Sequence, residues 1–172
     1  MIPISSAISG GLAWSRKGSG YELKLNHEVV GRLHKTNFWS SDYRAESSHG
    51  NWKFVRCGRL GNGAEIRDEN NVCAATFKTG WSGPGTFKFA DGQTFLVSSE
   101  GCWRPVWKVT TLDGQPVLQV GSREKAVTLE KPLAKQSDLT QSRWLLLILF
   151  TFYRMRQAEE DGAVAAMVAA IG

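Results

Sequence analysis

Six basic side chains, Arg32, His34, Lys35, Lys53, Arg56 and Arg59, are the groups in this 172-residue chain whose type and spacing best suit the capture of an anion. Lysine and arginine hold phosphate or carboxylate through charge and through N–H donors, and a set of them on one surface binds phospholipid headgroups. Arg32 and His34 share one face of a period-two stretch, with Lys35 just beyond. Lys53, Arg56 and Arg59 lie close in sequence, although alternation sends Lys53 and Arg56 to opposite faces. The expected chemistry is headgroup contact at an anionic membrane surface, set against the plainer expectation of solvated strand faces.

Groups for covalent or metal chemistry are poorly placed. Gly80-Trp81-Ser82-Gly83-Pro84 approaches the nucleophile elbow Gly-x-Ser-x-Gly, but Pro84 stands at the second glycine and a strand, not a helix, should follow. His27, His34 and His49 are at no ligand or catalytic spacing from one another or from a cysteine. Asp68, Glu69, Asn70 and Asn71 share one turn without the twelve-residue spacing of a calcium loop. Gly58, Gly61 and Gly63 have the wrong order for a dinucleotide loop. The residues therefore predict no catalytic, metal or cofactor-binding site, and a hydrolase built on Ser82 or a histidine is the weakest of the functional expectations.

Lysine and arginine number 21 against 16 acidic residues, a net charge of +5 with pI 9.3, yet no run of like charge appears. Seven tryptophans suit strand faces and a core before they suit base stacking, so nucleic acid is disfavoured as a partner. Cys57, Cys73 and Cys102 lie far apart and are odd in number, which favours a reducing, cytoplasmic setting over a disulfide framework. Residues 1–11 show neither a basic start nor an apolar stretch of signal-peptide length, so export is not expected.

Those side chains must be positioned by strands. Tyr21, Leu23 and Leu25 alternate with Glu22, Lys24 and Asn26, the period of a half-buried strand, and a turn at Asn26 and His27 leads into 28–34. The same phrase recurs at 64–67 and 72–77 about a turn at 68–71, at 86–89 and 95–97 about Asp91-Gly92-Gln93, and at 106–111 and 117–120 about Asp113-Gly114-Gln115. Further strands are expected over 11–16, 42–47 and 51–57. Asp-Gly pairs are the strongest hairpin signals, being suited to turns with positive φ at both central residues. Asn71, Gly92 and Gly114 recur about every 22 residues, and the lack of a leucine consensus favours a meander over a solenoid. Many short strands with Gly-rich turns predict a sandwich or a barrel.

From Trp144 to Tyr153 the chain is apolar on every face, which a helix tolerates only when surrounded. Ten residues rising about 1.5 Å each cover about 15 Å, half of what a membrane span needs, so no transmembrane span is expected. Asp138 and Gln141 suit a helix start, with the helix running to about 161 and an Ala-rich tail, 162–172, forming either a second short helix or a frayed end. A sheet encloses such a helix by curling into a barrel around it.

Hairpins turning at Asn or Asp-Gly, aromatic strands and a closing apolar helix resemble the tubby C-terminal-like superfamily, which includes phospholipid scramblases and LURP-one-related proteins. The segments 65–77, 107–120 and 144–161 carry the likeness, over nearly the whole chain. The resemblance implies one mainly β domain, a closed antiparallel barrel enclosing a hydrophobic C-terminal helix. It also implies a binding role, with an anionic phospholipid surface as first partner, membrane-peripheral in the cytoplasm, and another protein as second. The phosphoinositide-binding motif of tubby proteins has no counterpart here.

Overall fold

A computed structural model describes residues 11–37, 41–58, 62–79, 84–101, 105–121, 126–129 and 139–171. Its strands are β1 (Leu12–Lys17), β2 (Gly20–Leu25), β3 (Glu28–Lys35), β4 (Tyr43–Ser47), β5 (Gly50–Cys57), β6 (Gly63–Asp68), β7 (Cys73–Lys78), β8 (Gly85–Phe89), β9 (Thr94–Glu100), β10 (Val106–Thr110), β11 (Pro116–Gly121) and β12 (Ala126–Leu129). Each pairs antiparallel with its neighbours in sequence, and β1 pairs with β12, so the meander closes into a 12-strand barrel. The closing seam is short, with Leu12 opposite Val127 and Ala13 opposite Ala126.

The tight turns differ in detail from the expected pattern. Among the described residues, both central residues have positive φ only at Asn26 (49°) and His27 (77°), which makes that connection the two-residue mirror-image turn that matches strand twist. At the Asp-Gly sites the aspartate keeps ordinary φ and the glycine alone is left-handed, at 96° for Gly92 and 82° for Gly114. Each site is a three-residue loop: Gly92 N–H donates to Phe89 O (2.9 Å) and Phe89 N–H to Gln93 O (2.9 Å), with the same pair of bonds between Thr111 and Gly114 or Gln115. Asn71, φ 64°, ends an identical loop after Asp68, so the 22-residue recurrence marks the left-handed position of one turn used three times.

Alternation then sorts the side chains. Trp14, Leu23, Leu33, Phe54, Ile66, Phe77, Phe87, Val97, Val109 and Leu118 point inward and are buried, while Arg44, Thr76, Thr86 and Lys88 are exposed on the outside. This sidedness is opposite to that of a lipid-embedded barrel, whose exterior is apolar.

The interior is filled by one helix, α1 (Gln141–Ile171). Every residue from Trp144 to Tyr153 is buried, none more than 6% exposed. Phe150 sits among the rings of Phe87 (4.7 Å between centroids), Phe77 (5.1 Å) and Phe54 (5.8 Å), and Trp14 stacks on Phe152 at 3.9 Å. At Gly31 a Cβ would lie 3.2 Å from Leu149 Cδ2, so the glycine lets β3 approach the helix closely. The single polar side chain in the run, Thr151, returns its hydroxyl to Leu147 O at 2.7 Å and leaves no orphan donor.

Two details of the helix depart from expectation. Thr140 caps it: its hydroxyl accepts from Arg143 N–H (3.4 Å) and its carbonyl from Trp144 N–H (3.0 Å), while the expected cap, Asp138, lies outside the described residues. Nor does the helix stop near 161. It continues through Gly162 without a break, because a lone glycine costs a helix only about 1 kcal/mol relative to alanine and the alanines after it favour helix. Among the described residues no helix is long and apolar enough to cross a membrane.

Candidate functional site

The two ends of the barrel differ. The helix starts at the tight-turn end, where Arg143 is 2.7 Å from Asp91, donates to Gln93 Oε1 (3.3 Å) and lies over the Phe89 ring. Backbone donation from Gln93, with Arg143 beside it, holds the Asp91 carboxyl below its usual pKa. Two clefts of about 320 and 360 Å³ flank this end and share Asn51, Trp52, Asp68 and Glu69. Asp68 Oδ1 is already occupied by the N–H groups of Asn70 and Val72, both at 2.9 Å. Among the described residues no cluster of His, Cys, Asp and Glu is arranged to hold a metal ion.

At the opposite, exit end the helix is clasped just before it leaves the barrel. Glu160 accepts from Tyr43 Oη (2.7 Å) and lies 3.0 Å from Lys35 Nζ, and Asp161 takes both terminal nitrogens of Arg56 at 3.2 and 3.1 Å. Burial, reinforced by the bond to Glu160, raises the Tyr43 pKa strongly, so the phenol keeps its proton and remains a donor. The acidic step 159–161 in the sequence thus ties α1 to β3, β4 and β5.

The six basic candidates can now be placed. Arg32 donates to Glu22 (3.3 Å), His34 lies 3.8 Å from Glu46, and Lys53 lies 3.4 Å from Asp42. Lys35 and Arg56 serve the clasp, and Arg59 lies outside the described residues. The structure does not bring the five described ones together: Arg32 and His34 face outward from β3, whereas Lys35 and Arg56 turn toward the helix, and every one has an acidic neighbour. Ser82 also lies outside the described residues. His27 is exposed at its turn, and His49, at the β4–β5 turn, donates its backbone N–H to Ser47 Oγ. Cys57 and Cys73 are free thiols, and burial pushes the Cys73 pKa up, away from a reactive thiolate.

Glu22 escaped the sequence reading because it sits on the outward face of its strand and yet is only 4% exposed. Lys17 (3.1 Å), Arg32 (3.3 Å) and Lys24 (3.6 Å) cover it and, led by the Lys17 bond, hold its carboxyl below the ordinary value of 4.5. A depressed carboxylate adds stability above its unfolded pKa and loses it as pH falls through the folded one. Glu22→Gln should therefore melt below wild type at pH 7, with the gap closing below about pH 4 in matched thermal scans. A gap that widens in acid would contradict the sign.

Arg154 is the other residue the sequence did not mark. It stacks over the Phe77 ring at 4.8 Å and donates from Nη1 to Gln157 Oε1 at 2.5 Å. Gln157, itself buried, donates on to Tyr153 Oη at 2.6 Å. Desolvation pulls the Arg154 pKa below its usual value.

Comparison with family models, with curated proteins and with solved structures finds no match to this chain.

Proposed function

We propose that the protein is a non-enzymatic, tubby-like binding module that attaches peripherally to anionic phospholipid surfaces through the exit end of its barrel. Support for the kinship is the closed antiparallel barrel about an apolar helix, the architecture that the resemblance implies. The observation that carries the function is the end of α1. Beyond the clasp the helix leaves the barrel with Ala163, Ala165, Ala166, Met167 and Ala169 exposed, Met167 at 67%. An apolar helix end in water gains by entering the interfacial layer of a bilayer, and the barrel's hold on Glu160 and Asp161 supplies a rigid stem. Exposed Lys17 and Lys78 close β1 and β7 at the same end, and the net charge of +5 favours an anionic surface. Because the candidate bases already have acidic partners, the apolar tip takes the larger share of the contact.

Vesicle co-sedimentation tests this. The protein should bind vesicles containing phosphatidylserine at low salt, more weakly as salt rises, and Met167→Asp should lower the bound fraction several-fold without changing the melting temperature. Equal binding to neutral vesicles, no binding at low salt, or an inert Met167→Asp would sink the proposal. A concentration-dependent increase in mass, lost in Met167→Asp and with no vesicle binding, would replace lipid by a protein partner.

A further inference from the structure

A cleft of about 420 Å³ opens at the exit end between β7, β8, β9, β10 and α1, within the size range of small-molecule sites. Phe77, Val97 and Trp107 give it apolar walls, Ser98 and Ser99 add hydroxyls, and Arg154 is the sole charged group among the residues that line it. Gly85 makes room for the wall, since a Cβ there would fall 2.2 Å from Phe77 Cζ. Two donors at this cleft are unused. Trp107 is 7% exposed, and neither its indole Nε1 nor Arg154 Nε has a hydrogen-bond partner among the described residues. The carboxylate two turns further along the helix, Asp161, is already taken by both terminal nitrogens of Arg56.

A guanidinium with no carboxylate partner, set against apolar walls, has the chemistry of an anion site. Gln157 occupies Nη1, so the edge formed by Nε and Nη2 is left, and that edge matches the two oxygens of a carboxylate. We propose that this cleft binds a carboxylate carried on a small apolar body, with Arg154 as the charged anchor, Trp107 as a second donor and Phe77 and Val97 against the body. Both free N–H groups are closed to water in the unliganded conformation, so the guanidinium, held by Gln157 and the Phe77 ring, shifts as the ligand enters. This site stands independently of the lipid reading, because it lies in the barrel wall and uses neither Met167 nor the outer bases.

Sodium octanoate is the probe, below the concentration at which it forms micelles, with octanol and inorganic phosphate as the apolar and anionic halves tested apart. Octanoate should shift the Trp107 indole N–H resonance, assigned by its loss in Trp107→Phe, and raise the melting temperature. Octanol and phosphate should each bind at least about tenfold more weakly, as expected when a charge-assisted pair is lost. Arg154→Leu should keep the fold, since an apolar side chain replaces a half-buried guanidinium that has no carboxylate partner, and should lose octanoate binding by a similar factor. Phosphatidylserine vesicles form a separate arm. A shift of the same indole by them assigns the carboxylate to a lipid headgroup, and a shift by octanoate alone assigns it to a soluble acid. Octanol binding as tightly as octanoate, an unmoved Trp107 indole in every arm, or undiminished binding by a folded Arg154→Leu would overturn the site.

Discussion

Phe150→Ala is expected to cost roughly 3–5 kcal/mol of unfolding free energy, the range for deleting a fully buried phenyl ring from a core that cannot collapse. Collapse is prevented because the neighbours belong to different walls. Phe54 is on β5, Phe77 on β7 and Phe87 on β8, and each contributes to a hydrogen-bonded strand that cannot move inward alone. With about 2–4 °C of melting temperature per kcal/mol for a chain of this size, the fall should be on the order of 10 °C by calorimetry. A loss below about 1 kcal/mol, typical of surface positions, would mean that the ring is not enclosed.

Leu147→Asp should be more damaging still. Leu147 is fully buried within the apolar run, one helical turn before Thr151, whose hydroxyl is already given to Leu147 O. A buried carboxyl avoids ionisation by raising its pKa above the unfolded value of about 3.9, so the variant loses stability as pH rises from about 4. At neutral pH the cost is expected to approach the whole folding free energy, on the order of 5–15 kcal/mol. Circular dichroism at pH 7 should then show an unfolded chain, with the deficit against wild type smaller near pH 4. Ala166→Asp, on the same helix but outside the barrel, is the control and should melt like wild type. Equal tolerance at both positions would show that the barrel does not surround the helix.

The fold was legible where local chemistry and global geometry agree. Alternation at Tyr21, Leu23 and Leu25 located β2, the recurring Asn or Gly located three hairpins, and the all-apolar run required an enclosing sheet. Less was legible where pairing is remote. The strand β12 has four residues and is defined by β11 and by β1 at the far end of the chain, which no local pattern announces. Gly162 looked like a stop because helix propensity is weakly punctuated by one glycine, whereas the long helix before it is already nucleated. Arg32, His34, Lys53 and Arg56 lie on strands as alternation indicated, and β3 runs one residue further to include Lys35, but their partners Glu22, Glu46, Asp42, Asp161 and Glu160 were not legible, since ion pairs between elements depend on register and depth. Arg154 shows the same limit in reverse. A charge at the end of an apolar run reads as the point where water begins, and only the barrel's depth shows that the wall continues past it.

The order of elements along the chain has a consequence for synthesis. The strands leave the ribosome first, but the second edge of β1 is paired only when β12 appears, and the centre of the core arrives later still. At roughly 5–20 residues per second, the stretch from β12 to the end of the helix occupies several seconds in which the sheet has inward aromatic faces and nothing to close upon. During that interval the nascent chain is at its most prone to aggregate, and a message truncated before α1 leaves a protein with twelve strands and no interior.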